Sequence, residues 1–349
     1  MLGFDNFKLS INLKEIKSSY IIERVFSFLS EKKKLNMIIH NNELKRMFLV
    51  NIEYYKKVSG KYKIGGRNGK GRVYIINTDR IIFEGKYLNG RKNGKGKEYY
   101  FNGNLKFEGE YLNGERNGKG KEYYDNGKLN FEGEYLNGKK NGKGKEYDVH
   151  GNLDYEGEYL NDEKNGKGKE YYKNGKLLFE GEYLNGERNG KGKEYYDNGK
   201  LKFEGEYLNG KRNGKGKEYY NNGKLKFEGE YLNGEKNGKG KEYYIFGLLL
   251  FEGEYLNGKR WNGKGYDPIN NNIYILKDGK GYVKFYNTVG KFEFEGEYLN
   301  GEKNGKGKEY YKNGELEFEG EYLNGKRNGK GKEYYENGKL KFEGEYLKG

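Results

Sequence analysis

The chain has 349 residues, of which 68 are Lys or Arg and 53 are Asp or Glu, so its formal net charge is +15 at pH 7. It contains no cysteine, which excludes disulfides, thiolate zinc sites and cysteine nucleophiles. Its two histidines, His40 and His150, do not suggest a metal cluster, and its few serines, all within the first 59 residues, do not suggest a Ser/His/Asp triad. We therefore expect a protein that is not an enzyme and that uses no cofactor or metal.

The positive charge is dispersed along the chain. Residues 1–60 carry 11 basic and 6 acidic side chains, and the rest of the surplus is spread over a long region in which lysines alternate with glutamates. Such a distribution favours a solvated, salt-paired surface over a nucleic-acid-binding patch. No apolar run approaches the roughly 18 residues that span a bilayer. The first residues lack the basic segment followed by an apolar segment that is typical of a signal peptide. We expect a cytoplasmic protein, with peripheral membrane attachment as the alternative.

Residues 1–60 are predicted to form a small helical unit. Apolar residues recur at helical spacing over 20–29, with Ser18 or Ser19 available as the N-cap, and two further short helices are indicated over 35–39 and 44–48. Such a unit either caps the strand edge that follows it or docks a partner. The candidate partner-binding residues in it are Ile22, Phe26, Phe28 and Leu29.

The order Ile-Ile-x-x-Val-Phe-Ser-Phe-Leu over 21–29, followed by a charged stretch and apolar positions at 35–39, resembles an F-box. The resemblance covers about 30 residues and lacks the usual Leu-Pro, because the only proline is Pro268. F-boxes dock onto adaptor proteins of ubiquitin ligases. The resemblance therefore implies such an adaptor as a partner.

From residue 61 to residue 349 the chain is a tandem repeat. The glycine of Phe-Glu-Gly, or of its Tyr-Glu-Gly variant, recurs every 24 residues from Gly85 to Gly253 and again from Gly296 to Gly344. A fixed period of this length predicts an array in which each unit buries its apolar face against its neighbours. We therefore divide the chain into a helical unit, 1–60, and an array, 61–349.

One repeat, 203–226, reads as part of a hairpin array. Asn222-Gly223 between strand-like runs predicts a two-residue turn. Pairing outward from that turn sets Glu218 opposite Phe227, Gly216 opposite Gly229 and Gly214 opposite Tyr231, and it also sets Tyr220 opposite Leu225 and Tyr219 opposite Lys226.

This register predicts two different faces. The core face would hold Phe227, Tyr220 and Tyr231. The solvent face would set Lys217 opposite Glu228 and Lys215 opposite Glu230, and such opposite charges support a strand pair. Glu218 falls on the core face, and we expect it at the sheet margin, where it can reach water or a backbone donor.

The period breaks at about 258–293. Gly253 and Gly296 are 43 residues apart, Trp261 interrupts the Lys-Arg-Asn-Gly loop, and Asp267-Pro268 replaces a usual turn. Proline belongs at sheet edges or bulges, so we expect a bend or bulge here. The break is either a tolerated irregularity or a recognition site, for which Trp261 and Tyr266 are the candidates.

The pattern Phe-Glu-Gly-Glu-Tyr-x-Asn-Gly-x-x-Asn-Gly-Lys-Gly, with Tyr-Tyr-x-Asn-Gly after it, resembles the MORN (membrane occupation and recognition nexus) repeat over about 290 residues. The resemblance implies a mainly β fold. It would be an elongated, single-layer, twisted antiparallel sheet of tandem β-hairpins, here with a small α-helical N-terminal unit. It also implies a scaffold, spacer or lipid-associated protein.

Our leading expectation for function is a non-enzymatic repeat scaffold that binds other proteins. One alternative is attachment to acidic phospholipid through the lysine of each Asn-Gly-Lys-Gly. These lysines are Lys95, Lys119, Lys143, Lys167, Lys191, Lys215 and Lys239. A second alternative is a ubiquitin-ligase substrate receptor. The final strand also predicts an exposed edge that would permit end-to-end self-association.

Overall fold

A computed structural model describes residues 60–268 and 271–347. The helices predicted within 1–60, and with them the F-box-like segment, lie outside the described residues. In the described part the secondary structure is β-strand and turn, without a helix. The structure divides into two compact units, residues 1–129 and 130–349, and each is described by itself.

In the first unit each strand pairs antiparallel with the next. Its strands are β1 (Lys61–Gly65), β2 (Gly69–Ile75), β3 (Ile81–Leu88), β4 (Arg91–Tyr99), β5 (Leu105–Leu112) and β6 (Glu115–Tyr123).

The second unit continues the hairpin pattern, with β7 (Leu129–Leu136) beginning at its boundary. Its next strands are β8 (Lys139–Tyr147), β9 (Leu153–Leu160), β10 (Glu163–Tyr171), β11 (Leu177–Leu184), β12 (Glu187–Tyr195), β13 (Leu201–Leu208), β14 (Lys211–Tyr219), β15 (Leu225–Leu232), β16 (Glu235–Tyr243), β17 (Leu249–Leu256), β18 (Lys259–Tyr266) and β19 (Asn272–Leu276). Consecutive strands from β7 to β19 pair antiparallel.

A separate six-stranded sheet completes the second unit. It contains β20 (Gly281–Tyr286), β21 (Phe292–Leu299), β22 (Glu302–Tyr310), β23 (Leu316–Leu323), β24 (Lys326–Tyr334) and β25 (Leu340–Tyr346). The single bridge Lys277 to Lys280 closes the turn between β19 and β20. The array is thus an open antiparallel sheet of tandem hairpins, interrupted inside the predicted break.

Two kinds of turn alternate along the array. Asn209 and Gly210, between β13 and β14, have φ values of 48° and 77° and form the two-residue turn that Asn-Gly favours. The turn after β14 has three residues instead. The Tyr220 amide donates to the Lys224 carbonyl at 2.8 Å, and the amide of Gly223, at φ 92°, donates to the Tyr220 carbonyl at 2.8 Å.

The two-residue turn predicted at Asn222-Gly223 is therefore wrong, because only Gly223 adopts the left-handed conformation and it closes a bulge. The bulge sets Tyr219, and not Tyr220, opposite Leu225. Tyr219 therefore does not pair with Lys226 as predicted. The predicted register is confirmed from the bulge inward, for the pairs Glu218–Phe227, Lys217–Glu228, Gly216–Gly229, Lys215–Glu230 and Gly214–Tyr231.

The core is a single layer of aromatic rings on one side of the sheet, which we call the aromatic face. Phe203 is completely buried, and its ring meets Tyr207 and Tyr231 edge-on, with centroids 5.6 and 5.4 Å apart. The same edge-on contacts link successive repeats, so each ring is covered by the next. Phe227 and Tyr231 are buried as predicted, whereas Tyr220 is half-buried.

Glycine makes room for these rings. A Cβ built on Gly216 would lie 2.5 Å from Cζ of Phe203, which is closer than two non-bonded carbon atoms approach in folded proteins. Gly216 lies opposite Gly205 on the neighbouring strand, so the ring rests on backbone alone. The Gly-Gly pair in each repeat therefore follows from packing a large ring flat against a sheet.

Candidate functional site

The aromatic face is closed by a ladder of ion pairs. Arg212 on β14 stacks its guanidinium 4.0 Å from the centroid of Phe203 on β13 and donates to Glu194 on β12 at 2.9 Å. The ion pair thus reaches over β13 and covers its ring. Each regular repeat has a basic residue in this place, stacked on the equivalent ring. These residues are Lys92, Arg116, Lys140, Lys164, Arg188, Arg212, Lys236, Arg260, Lys303 and Arg327.

Two glutamates of the ladder have a strongly lowered pKa in the folded protein. Burial alone would raise the pKa of Glu98, but the hydrogen bonds and charges of Lys92 and Arg116 outweigh it and lower that pKa to about 2. The same balance, with Arg260 and Lys236 as the cations, lowers the pKa of Glu242 to about 2. Glu98 and Glu242 are therefore ionised at neutral pH.

Glu218 belongs to this ladder and is not a marginal residue as we expected. Its carboxylate lies 3.1 Å from Nζ of Lys226 and 3.8 Å from the Arg212 guanidinium, with 15% of its side chain exposed. A signal for the ladder is present in the sequence. The second residue after each Leu-Asn-Gly turn is always basic, whereas the first is Lys, Arg or Glu.

The opposite side of the sheet, which we call the open face, carries charged rows. In one row, lysines pair with glutamates across neighbouring strands, as for Lys217 and Glu228 at 3.8 Å and for Lys308 and Glu319 at 3.6 Å. The first tyrosine of each Tyr-Tyr pair also donates to such a glutamate, as Tyr219 does to Glu204 at 2.7 Å. These glutamates are therefore occupied within the protein.

The second row contains all seven lysines of the candidate anionic-surface contact, and all seven are exposed. The glutamates of this row turn away from them toward a bulge in the next strand. Glu230 accepts a hydrogen bond from the backbone amide of Lys239 at 3.3 Å, and Glu110 accepts one from Lys119 at 3.3 Å. Within residues 60–268 and 271–347, the ammonium groups of the seven lysines make no ion pair.

Apolar side chains line the open face beside the Leu-Asn-Gly turns. Leu208 lies opposite Lys211 and is 47% exposed, although it belongs to a regular strand. Its counterparts are similarly exposed, between 37% and 51%. They are Leu88, Leu112, Leu136, Leu160, Leu184, Leu232, Leu256, Leu299 and Leu323. A repeated exposed leucine of this kind is typical of an interaction surface.

The six-stranded sheet has a groove of about 640 Å³ on its open face. Glycine backbones form its floor, including those of Gly307 and Gly320, and the two rows of Lys and Glu form its walls. Tyr282, which is 57% exposed, replaces a lysine of the second row at one end.

The break region differs from our expectation in register. Gly253 pairs with Gly263 and Glu254 with Asn262, so Trp261 is not an extra residue in a normal loop but the single unpaired residue of a shortened bulge. Gly265 consequently stands at the position where other repeats have a ladder glutamate. The Tyr274 ring fills the space that the glutamate side chain would occupy, and its hydroxyl accepts a hydrogen bond from Arg260 at 2.9 Å.

Trp261 and Tyr266 lie at opposite ends of β18 and do not form one site. The half-buried Trp261 ring packs on Gly279 of the next turn, where a Cβ would come 2.7 Å from Cζ3 of the indole. The Tyr266 carbonyl accepts a hydrogen bond from the Tyr244 hydroxyl at 2.7 Å. Both residues thus have structural contacts, and the recognition role stays a prediction. Ile22, Phe26, Phe28 and Leu29 lie outside the described residues.

Two features are absent from the described part of the chain. No cluster of three or more His, Cys, Asp or Glu side chains there could hold a metal ion. Among the same residues, no helix is long and apolar enough to cross a membrane.

Models of one known repeat family match the sequence of the array. The MORN repeat matches residues 83–105, 107–128, 131–152, 155–176, 203–224, 227–245, 294–315 and 318–339, and a MORN repeat variant matches 188–209. Together these matches cover more than half of the chain. No curated protein matches it.

Solved structures resemble the chain only weakly. A TcdB2-TccC3 crystal structure is 12% identical over 83% of this chain, with a TM-score of 0.17. A Tc holotoxin pore of Photorhabdus luminescens is 11% identical over 78% of this chain, with a TM-score of 0.18. This chain spans 18% of the length of each, and TM-scores of this size do not indicate a shared fold.

Proposed function

Because this chain belongs to the MORN-repeat family, we propose that it is a non-enzymatic scaffold that binds other proteins through the open face of its array. The exposed leucine row is the observation that carries this proposal. The aromatic face buries its rings under the ion-pair ladder, whereas the open face presents a leucine in each regular repeat at the same height on the sheet.

The geometry of the leucine row suits a multivalent contact. Two strands separate successive leucines, so they lie roughly 10 Å apart along the array. Each leucine alone contributes little, but a partner that touches several gains from linked binding. The charged residue opposite each leucine, such as Lys211 or Glu235, varies in sign between repeats and can select the partner.

The experiment is affinity capture with matched variants of the full chain. Replacing Leu184, Leu208 and Leu232 by serine should abolish capture of partner proteins from extracts of the native cell. Replacing the exposed turn residues Lys173, Asp197 and Asn221 of the same region by serine is the control and should leave capture unchanged. Partners that remain bound to the triple leucine variant would refute the proposal.

A second candidate function, attachment to an acidic membrane surface, is supported by the second row of the open face. Glutamates such as Glu182 and Glu230 accept hydrogen bonds from backbone amides, which leaves the exposed lysines opposite them, Lys167 and Lys215, free to meet anionic headgroups. Each lysine near a charged membrane contributes about 1 kcal/mol at low salt. The fraction of protein that floats with anionic liposomes should fall when Lys167, Lys191 and Lys215 are replaced by glutamine. A fraction that does not change with the anionic lipid content of the liposomes would exclude this function.

Docking of a ubiquitin-ligase adaptor to residues 1–60 also stays part of the proposal. It is supported by the F-box-like order of residues 21–29. A cytoplasmic location, peripheral at a membrane if the second candidate function applies, agrees with each of these functions. Failure of the full chain to bind a ligase adaptor would remove the receptor function and leave the scaffold function intact.

A further inference from the structure

One repeat departs from the others at a single charged position. Lys86 stands in Phe-Glu-Gly-Lys-Tyr, where the other regular repeats have Phe-Glu-Gly-Glu-Tyr or its tyrosine variant. Lys86 lies on β3, directly opposite Lys70 on β2, and its other side faces the bulge of β4 that contains Lys95. All three lysines are exposed on the open face.

Elsewhere in the array this bulge binds an anion that belongs to the protein. The amide of Lys119 donates to the Glu110 carboxylate at 3.3 Å in the adjacent repeat, and the equivalent amides donate at 3.2 to 3.4 Å in four more. A positive-φ glycine precedes each of these amides, Gly118 in the adjacent repeat. Backbone amides arranged in this way form a nest for anions.

At the β4 bulge the internal anion is missing. Gly94, at φ 84°, has the same conformation as Gly118, but the aliphatic stem of Lys86 lies over it, 3.4 Å from the position of a Cβ. Lysine offers no acceptor, so the carboxylate that fills the other nests cannot be supplied by residue 86.

The charges around this nest also favour an added anion. Lys70, Lys86 and Lys95 lie on three adjacent strands, which are about 4.8 Å apart, and like charges opposite each other destabilise a strand pair. The neighbouring carboxylates are occupied elsewhere. Glu84 pairs with Arg72 at 3.3 Å, Glu108 pairs with Lys97 at 3.6 Å, and Glu110 accepts from the Lys119 amide.

We propose that Lys70, Lys86, Lys95 and the backbone amide of the β4 bulge form a binding site for a phosphate monoester. A phosphate group presents several acceptor oxygens and about two negative charges, which suits three ammonium groups and one amide. The ester is either a soluble phosphate compound or a lipid headgroup. The site does not depend on the leucine row.

Equilibrium dialysis of the full chain against radiolabelled inorganic phosphate at constant ionic strength tests the site. We expect one phosphate per wild-type chain and at least tenfold weaker binding by Lys86→Glu, which should fold because it restores the sequence of the other repeats. The matched gain variant is Glu206→Lys, which places a third lysine between Lys191 and Lys215 and should give a second phosphate site.

Equal binding by the wild type and Lys86→Glu, or no added site in Glu206→Lys, would overturn the proposal. Vesicles of phosphatidylcholine with and without phosphatidylinositol phosphate identify the source of the ester. Recruitment that requires the phosphoinositide and is lost in Lys86→Glu would support a lipid headgroup. Phosphate binding without recruitment would support a soluble phosphate ester.

Discussion

Arg212 and Glu194 form an ion pair at 2.9 Å that crosses over β13 and covers the buried ring of Phe203. The two residues belong to successive repeats, 18 positions apart, so the pair joins those repeats as well as shielding the ring. About one fifth of each side chain or less is exposed. The same inter-repeat pair recurs where the ladder cation is arginine, as for Arg116 with Glu98 and Arg327 with Glu309, and it explains how a single-layer sheet has a buried core.

Replacing Arg212 by alanine should destabilise the array by about 1–3 kcal/mol, because Glu194 would keep a largely buried charge without its strongest partner. Arg212→Lys should cost less than Arg212→Ala, since Lys164 and Lys236 cover the equivalent rings in other repeats, where each pairs with a glutamate of its own strand. Urea denaturation followed by tyrosine fluorescence measures both changes. The control is Lys211→Ala, which removes an exposed residue and should change the free energy of unfolding by about 0.5 kcal/mol or less.

Replacing Gly216 by alanine should be strongly destabilising, because its Cβ would overlap the Phe203 ring, which is held between two strands and two tyrosines. We expect a loss of about 2–4 kcal/mol in thermal or urea denaturation. The control is Gly210→Asp at the two-residue turn. Asp162 occupies the equivalent position at φ 77°, so that variant should be nearly neutral, and equal losses in the two variants would argue against the packing explanation.

Substitutions of Phe203 separate ring size from ring chemistry. Phe203→Ala should cost about 3–5 kcal/mol through the cavity that it leaves. Phe203→Tyr should be tolerated, because Tyr155 is completely buried at the equivalent position and its hydroxyl lies 3.4 Å from the Glu158 carbonyl. Calorimetry of both variants checks the prediction, and a tyrosine variant as unstable as the alanine variant would contradict it.

Acid should unfold the array through the ladder. The pKa of Glu98 and of Glu242 falls from 4.5 to about 2 on folding, so their contribution to stability is complete above about pH 4.5 and is lost as the pH falls toward 2. The urea midpoint should therefore decrease over this range. Glu115→Gln, on the exposed open face, is the control and should leave the profile unchanged, whereas a flat acid profile of the wild type would contradict the ladder.

The sequence predicts most of this fold because the repeat applies the same constraint many times. Opposite charges such as Lys217 and Glu228, and the Gly216–Gly229 pair, determine the register without knowledge of the structure. The position of the three-residue turn is harder to predict from the sequence, since both Asn-Gly pairs of a repeat have the composition of a two-residue hairpin turn. Only the pairing of both strand edges shows which of them has two left-handed residues.

The candidate site was predicted less completely. The exposure of the seven lysines follows from the strand alternation, but the position of their glutamates depends on a bulge that the pattern does not reveal. Glu218 was misplaced for a related reason. A charge on an apolar face can be explained only with its partners Arg212 and Lys226, one of which lies on another strand.

Lysine acetylation kinetics, read by mass spectrometry on the folded full chain, test the assignment of the two faces most directly. We predict that the open-face lysines Lys167, Lys191 and Lys239 react rapidly. The ladder lysines Lys140, Lys164 and Lys236 should react at least tenfold more slowly, because each is ion-paired over an aromatic ring. Equal rates for the two sets would show that the aromatic face is not closed and would contradict the account.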